Sequence, residues 1–481
     1  MGENNKALVK HFISTLGTGG YTEGDYVCER GRCRTAFVQE ASLKLGLESQ
    51  VDRITVCLTD EAEATNWIGR INSSGEREKG LKAILEEQYG KEKIEIIKMN
   101  KGDSTKATDE TFDRIYRSIQ ENEEIYFDIT HGFRYFPMLV LTVLEYAKVT
   151  KNITVGGIYY GEFVRPENGE PVDWPWYDLT YYSDILSWSN AADAFVRYGH
   201  SNQINDLMHK LAARDRLKYQ ELNKLVQSLN NITQCIDVGR GKNGGNKGNS
   251  IEAAYIQYKE QYEKFDKKDF ADVKPLEILM EKIDQKVDVL KVDSNLSTGL
   301  SVVRWSLEND MIQQGYTALE ETIKTYVCGL VQVDDTTKLY RDDFVKSIIT
   351  KLKIENQGRK KAEGEDERER WYQAWLEEMN RKNGFKNFYN KNEEHEQTEK
   401  KIKRMGKRLI RVIPYEVVQI SSAVSEKRND INHFGFNESP VKYIRFKTEL
   451  EKRYNELLKI IQENPIPERI CESQGEETEN D

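Results

Sequence analysis

Residues 126–137 read YFDITHGFRYFP, and this stretch decides the fold. Tyr126 and Phe127 close an apolar run of the kind that forms a buried strand. Pro137 opens the apolar stretch PMLVLTVLEYAKV, a helix whose first turn tolerates a residue without an N–H. Between strand and helix stand Asp128, Thr130, His131, Gly132 and Arg134. Asp128 and Thr130 as mere caps of the helix is the plain alternative. A cap, however, uses one short polar side chain, and five such positions between two apolar elements favour a ligand-binding loop.

Outward from this stretch, the first 160 residues alternate strand-like and helix-like periodicity, the mark of a parallel sheet covered by helices. Strands are predicted at 7–16 (ALVKHFISTL), 53–59 (RITVCLT), 93–99 (KIEIIKM), 124–130 (EIYFDIT) and 153–160 (ITVGGIYY). Helices are predicted in TAFVQEASLKLGL, REKGLKAILEEQYG, TDETFDRIYRSIQ and the run after Pro137. From about residue 180 long amphipathic patterns take over, among them ILSWSNAADAFVRYG and GLSVVRWSLENDMIQQGYTALEETIKTYVCGL. The expected fold is α/β plus all-α: a Rossmann-like parallel sheet over 1–180, then a helical domain over 181–481. The run RKKAEGEDERER (359–370) marks a charged helical insertion at about 335–410, and GRGKNGGNKGNS (239–250) reads as a mobile loop.

Composition limits the function. The net charge of −10 opposes a bulk electrostatic grip on nucleic acid, so any nucleic-acid site must be a local basic patch. The apolar run PMLVLTVL is far short of the ~20 residues a membrane helix needs, and no membrane association is expected. The opening MGENNKALVKHF has no signal-peptide pattern, and the six cysteines show no paired metal spacing. A cytoplasmic protein with reduced thiols is the expectation.

Ligands of open parallel sheets bind outside the carboxyl ends of the strands. Three predicted strands end in polar loops: GTGGY (Gly17 to Tyr21), TDEAEATN (Thr59 to Asn66) and DITHGFR. Glycines admit close approach, hydroxyls and imidazole give directional hydrogen bonds, and Arg134 can fork onto a phosphate. This chemistry suits a nucleotide. The glycine loop alone reads as a turn, since it lacks the G-x-G-x-x-G spacing, and no P-loop motif is present.

The second informative stretch is SEKRNDINHFGF (425–436), with Arg428, Asn429, Asp430 and His433 ahead of a last amphipathic helix. Residues five apart on a helix are about 140° out of register and about 7.5 Å apart along its axis. They converge only where the helix starts or kinks, or where a second subunit supplies a matching pair. A His moves protons near neutral pH, and an Arg stabilises charge on a phosphodiester. Together they suffice for metal-free cleavage of RNA by its own 2′-hydroxyl. On spacing alone a surface-paired Arg and a His buried beside Phe434 and Phe436 are the commoner outcome. His11, His200, His209 and His395 lack comparable polar neighbours in the sequence and read as structural or surface residues.

The order of these features resembles the CRISPR-associated CARF and HEPN ribonucleases of type III systems. DITHGFRYFPMLVLTVLEYAK, ITVGGIYYG and ILSWSNAADAFVRYG carry the CARF resemblance, and RNDINH carries the HEPN resemblance. It implies a two-fold pocket for a cyclic oligoadenylate, with cyclic tetra-adenylate favoured, lined by Thr18, Gly19, Thr59, Thr130, His131, Gly132 and Arg134. It implies a metal-independent endoribonuclease site for single-stranded RNA at a homodimer interface, built from Arg428, Asn429 and His433, with no catalytic cofactor. The stretch SVVRWSLENDMIQQGYTALEETI resembles the long HEPN helix behind that site. His131 also raises degradation of the activator by the sensor domain, against a plain hydrogen-bonding role. The aromatics of RWYQAWLEEMNRKNGFKNFYN are either an RNA contact or active-site cover, or simply the apolar face of a surface helix. The rival reading is a ligand-sensing regulator whose helical half binds a partner or RNA without cutting it.

Overall fold

Successive side chains of a strand point to opposite faces, and near-continuous apolar runs therefore imply a sheet buried on both sides. The computed structural model shows such a sheet, with β1 (Val9–Leu16), β2 (Gly24–Cys28), β3 (Gly31–Thr35), β4 (Arg53–Leu58), β5 (Ile94–Lys98), β6 (Glu123–Asp128), β7 (Thr154–Gly161) and β8 (Asp173–Asp178). The structure describes residues 8–71, 75–100, 104–165, 172–241, 249–265, 274–355, 364–389, 394–433, 436 and 442–467. The chain divides into two units, Met1–Ser187 and Trp188–Asp481.

In the first unit, Phe12, Leu16, Ile54, Val56 and Leu58 pack on one face against helices Val38–Leu47 and Leu81–Tyr89. Ile13, Cys57, Ile125 and Phe127 pack on the other against Thr105–Ser118 and Phe136–Lys151. Each fully buried aliphatic or Phe side chain contributes roughly 1.5–3 kcal/mol. The strand order is β3-β2-β8-β7-β6-β1-β4-β5. β7, β6, β1, β4 and β5 are mutually parallel along the sheet. From β1 the chain reaches β4 and β5 on one side, then β6 and β7 on the other, so the winding reverses between β1 and β6. A ligand crevice opens at such a reversal, outside the carboxyl ends of the strands.

The five predicted strands are present, but the sheet has three more. β2 and β3 form a hairpin, and β8 lies between β2 and β7. β3 alternates buried Cys33 and Thr35 with exposed Arg32 and Arg34, and Arg32 pairs with Asp173 at 2.9 Å. Such charge alternation hides a strand from a search for apolar runs. β8 contains Pro175, which ordinarily argues against an interior strand. Here Trp174 and Trp176 bury on either side of it, and the Pro175 carbonyl still accepts the Glu162 N–H at 2.9 Å.

Every described element of the second unit is helical. The stretch 301–323, read above as one helix, is two: Asn295–Glu308 and Ile312–Leu330, broken where Asp310 takes φ +57°. Tyr316, Leu319, Ile323 and Val327 of the second helix pack with Val417, Ile420 and Val424 of Tyr415–Asn432 and with Leu450 and Leu457 of Tyr443–Glu463. Trp371, Trp375, Phe385 and Phe388 bury in the same core as apolar packing, while Tyr372 and Tyr389 of that segment are half-buried against it. Residues 359–363 of the charged run and 242–248 of the Gly/Asn-rich run lie outside the described residues. Among the described residues no helix is long and apolar enough to cross a membrane.

Candidate functional site

At the reversal point the loops after β1 and β6 are tied to each other. Thr15 Oγ1 donates to the His131 carbonyl, and the Tyr21 ring packs on the His131 ring with centroids 4.9 Å apart. Gly132 takes φ +125°, a conformation that favours glycine, and a Cβ there would crowd the Phe136 ring at 3.2 Å. Burial pulls the half-buried His131 imidazole down to about 4. It is therefore a neutral hydrogen-bonding group at physiological pH. Arg134 is exposed just before the helix Phe136–Lys151, whose N-terminal end favours anions.

Asp128 and Thr130 do not cap that helix, whose N-cap is Tyr135 without a side-chain bond. The fully buried Asp128 accepts from Ser42 Oγ at 2.5 Å and from the Thr130 N–H at 3.0 Å. Burial pushes its carboxyl up to about 6. Trp176 Nε1 in turn donates to Ser42 Oγ at 3.0 Å. Thr130 Oγ1 accepts the Gly161 N–H at 2.9 Å, linking the loop to the end of β7. Thr59 is half-buried and caps the short helix Asp60–Ala62 by accepting from the Ala62 N–H at 3.2 Å.

The glycine loop is held by three side chains, of which Tyr21 and Asn66 end the loops named above and Arg70 lies outside them. Asn66 Nδ2 donates to the carbonyls of Gly17 (2.7 Å) and Gly19 (2.9 Å). Arg70 donates to the Thr18 carbonyl at 2.7 Å and to that of Gly19, and Tyr21 Oη accepts the Gly17 N–H at 2.9 Å. Three consecutive carbonyls are thus drawn toward one amide and one guanidinium, with Thr18 and Gly19 exposed. Successive backbone N–H groups in such a turn suit an anion. Asn66 ended the loop TDEAEATN, but nothing in the sequence indicated that it reaches back across 49 residues to Gly17.

In the second unit, Arg428 lies near the end of Tyr415–Asn432, and His433 follows as the residue that ends it. Arg428 Nη1 is 3.0 Å from Glu320 Oε2, and Ser425 Oγ donates to Glu320 Oε1 at 3.2 Å. Arg428 Nε is buried without a hydrogen-bond partner. Asn429 is exposed, and its carbonyl accepts the His433 N–H at 2.9 Å. His433 is exposed, as is Phe436, so the reading of a buried histidine fails; Phe434 lies outside the described residues. Glu320, on Ile312–Leu330, was not anticipated, because its link to Arg428 is long-range.

His11 was read as lacking polar neighbours and is in fact fully buried among them. Its Nδ1 lies 3.0 Å from Glu123 Oε2 and its Nε2 2.7 Å from Thr55 Oγ1, while Arg53 pairs with the other Glu123 oxygen. This network sits at the amino ends of β1 and β6, away from the ligand loops, and is structural.

Residues 11–163 match the family described as CRISPR system endoribonuclease Csx1, CARF domain. Residues 184–288 match the one described as CRISPR-associated protein MJ1674, second domain. CRISPR-associated protein MJ1674 of Methanocaldococcus jannaschii is 26% identical over 276 residues, 56% of this chain and 39% of that protein. The match therefore spans about two fifths of that relative's length. With the sheet topology and strand-end loops above, these matches make residues 11–163 a CARF domain and support a CRISPR type III accessory protein.

Proposed function

We propose that the chain is a ribonuclease switched on by a cyclic oligoadenylate, acting in the cytoplasm in type III antiviral defence. The N-terminal unit is the sensor. Thr18, Gly19, Thr59, Thr130, His131, Gly132 and Arg134 contact the ring, cyclic tetra-adenylate by preference, in a pocket that two copies complete. The helical unit carries a HEPN-like site of Arg428, Asn429 and His433. The observation that carries this reading is the Glu320–Arg428 pair at the helix end where His433 is exposed. A half-buried cation held by a carboxylate, five residues before an accessible imidazole at the end of the same helix, supplies the two kinds of group that phosphodiester cleavage needs, and a second protomer brings the matching pair.

In this mechanism the RNA 2′-hydroxyl attacks the adjacent phosphate, the bond from phosphorus to the 5′-oxygen of the next nucleotide breaks, and the products are a 2′,3′-cyclic phosphate and a 5′-hydroxyl that takes up the proton. His433 moves the proton, Arg428 stabilises the charge that builds on the phosphoryl oxygens, and Asn429 adds a hydrogen bond. The second protomer of a homodimer supplies the matching set. Activation requires that the ring bind the active arrangement more tightly than the resting one, since equal affinity shifts nothing.

The test is cleavage of a fluorescent single-stranded RNA in EDTA, with and without cyclic tetra-adenylate, by wild type and His433→Ala. Activator-dependent cleavage lost in the variant is expected. Cleavage indifferent to activator, or retained in His433→Ala, would overturn the reading in favour of a non-cutting regulator.

A further inference from the structure

The helix His395–Val412 is amphipathic in an unusual sense: from Lys400 to Arg411 the charges on its outer face are all cationic. Between Lys400 and Arg411 stand seven basic residues and no acidic one, in a chain whose net charge is −10. Thr398, Ile402, Gly406, Leu409 and Ile410 bury against the core, with Gly406 in close approach to the Trp375 ring. Lys401, Arg404, Arg408 and Arg411 are exposed. Their steps of three and four residues place them on one stripe, about 15 Å long at 1.5 Å per residue.

Neighbouring cations of the same helix are neutralised: Lys400 by Glu396 at 2.7 Å, Lys403 by Glu399 at 3.3 Å and Lys407 by Glu369 at 3.1 Å. Lys401, Arg404 and Arg408 have no ion pair among the described residues, and Arg411 lies within the field of Glu369. Favourable placement of cations near a helix C-terminus accounts for the last turn alone. It does not account for Lys401 and Arg404, which lie in the middle of the helix.

We infer that this stripe is a docking surface for the phosphate backbone of single-stranded RNA, the substrate under the nuclease reading on which this inference rests. Charge complementarity selects a polyanion, and in an acidic chain such a surface must be local. Trp371, Trp375, Phe385 and Phe388 of the same segment are buried and unavailable for stacking on bases, so the stripe acts through charge. Contacts to phosphate alone position the strand and carry no sequence information. The stripe therefore supplies affinity, and the choice of cleavage sequence lies elsewhere.

The experiment measures binding of a fluorescent single-stranded RNA by anisotropy over a range of salt concentrations, in full-length His433→Ala protein with cyclic tetra-adenylate. This is compared with the same protein carrying K401A, R404A and R408A. Removing three phosphate contacts lowers the slope of log affinity on log salt by about 2. In the catalytically intact background the triple change raises KM about tenfold with kcat and activator affinity unchanged. A salt slope equal to that of the parent overturns the inference, even where wild type cuts RNA. A reduced slope sustains it, even where wild type binds RNA without cutting and the nuclease reading fails. Charge reversal at the same three positions must deepen the loss, which separates a charge effect from a packing one.

Discussion

Arg428 and Glu320 are joined at 3.0 Å, from two helices whose sequence positions differ by more than a hundred residues. Glu320 is nearly buried and also holds Ser425, so the carboxylate fixes one end of the guanidinium while Nε remains without a partner. Removing one member of such a pair leaves the other charge uncompensated. Under the nuclease reading Glu320 is a positioning residue. Glu320→Ala should lower kcat by roughly 10- to 100-fold, about 1.4–2.7 kcal/mol of transition-state stabilisation, with activator affinity unchanged. Glu320→Asp should recover part of the loss. Single-turnover RNA cleavage and calorimetric titration of cyclic tetra-adenylate read the two quantities separately, and a parallel fall in both would point to unfolding instead.

The glycine loop gives a prediction at the other site. Arg70 holds the Thr18 and Gly19 carbonyls and Asn66 those of Gly17 and Gly19. A hydrogen bond from a charged group contributes about 1.5–3 kcal/mol, and here part of it maintains the shape of the loop. Arg70→Ala should weaken activator binding by about tenfold, and Arg70→Lys by less. Arg134→Ala, which removes a group free to meet a phosphate, should cost more. Calorimetry on the three variants checks the order, and an Arg70→Ala protein with wild-type affinity would show that the loop needs no clamp.

Much of the sheet was legible because its central strands bury both faces, so Ile54 to Leu58 and Ile125 to Phe127 stand out as apolar runs. The hairpin β2–β3 was not, because Arg32 and Arg34 break the run on its exposed face, and β8 was masked by Pro175. The break at Asp310 was hidden for another reason: apolar spacing continues across it, and only the backbone turn and the Lys447 ion pair at 2.5 Å mark it. The polar loops were legible from composition, since Asp128 to Arg134 are contiguous. Their anchors were not. Asn66, Arg70, Ser42 and Glu320 act across long sequence separations, and neither periodicity nor spacing encodes which distant residue a polar side chain will meet.

The buried network at the amino ends of β1 and β6 should make the sheet sensitive to acid. Burial lowers the His11 imidazole below its ordinary value, so its contribution is present above about 6.5 and is lost as pH falls. Glu123, despite its burial, is held down to about 2 by hydrogen bonds from His11, the Gln120 N–H and Arg53. Its contribution is complete above about 4.5 and is lost as pH falls toward 2. Glu123→Ala leaves His11 and Arg53 without their carboxylate and should destabilise the unit by about 3–5 kcal/mol. Urea unfolding followed by hydrogen exchange of the β1 and β6 amides at neutral pH tests this; a loss below about 1 kcal/mol would mean the network is dispensable.

Asp128 runs in the opposite direction. It is fully buried, and its named partners, Ser42 Oγ and the Thr130 N–H, are neutral. Its carboxyl is raised to about 6, above the value near 3.8 of an unburied aspartate. A raised carboxyl favours the folded state when protonated, so its contribution is complete below about 3.8 and is lost as pH rises through 6. Two pKa units correspond to about 3 kcal/mol. Asp128→Asn, which cannot ionise, should remove this slope: relative to wild type the variant gains on the order of 2–3 kcal/mol between pH 4.5 and pH 7.5. Because the same carboxyl holds the Thr130 N–H, ionisation also loads charge at the root of the ligand loop. Activator affinity of wild type should therefore vary between pH 5 and 7 in a way that the variant does not. Exchange rates of the β6 amides at the two pH values measure the first effect, and titrations of cyclic tetra-adenylate across the interval measure the second. A stability difference independent of pH would place the Asp128 carboxyl near its ordinary range, and the pH dependence of binding would then have to come from another group.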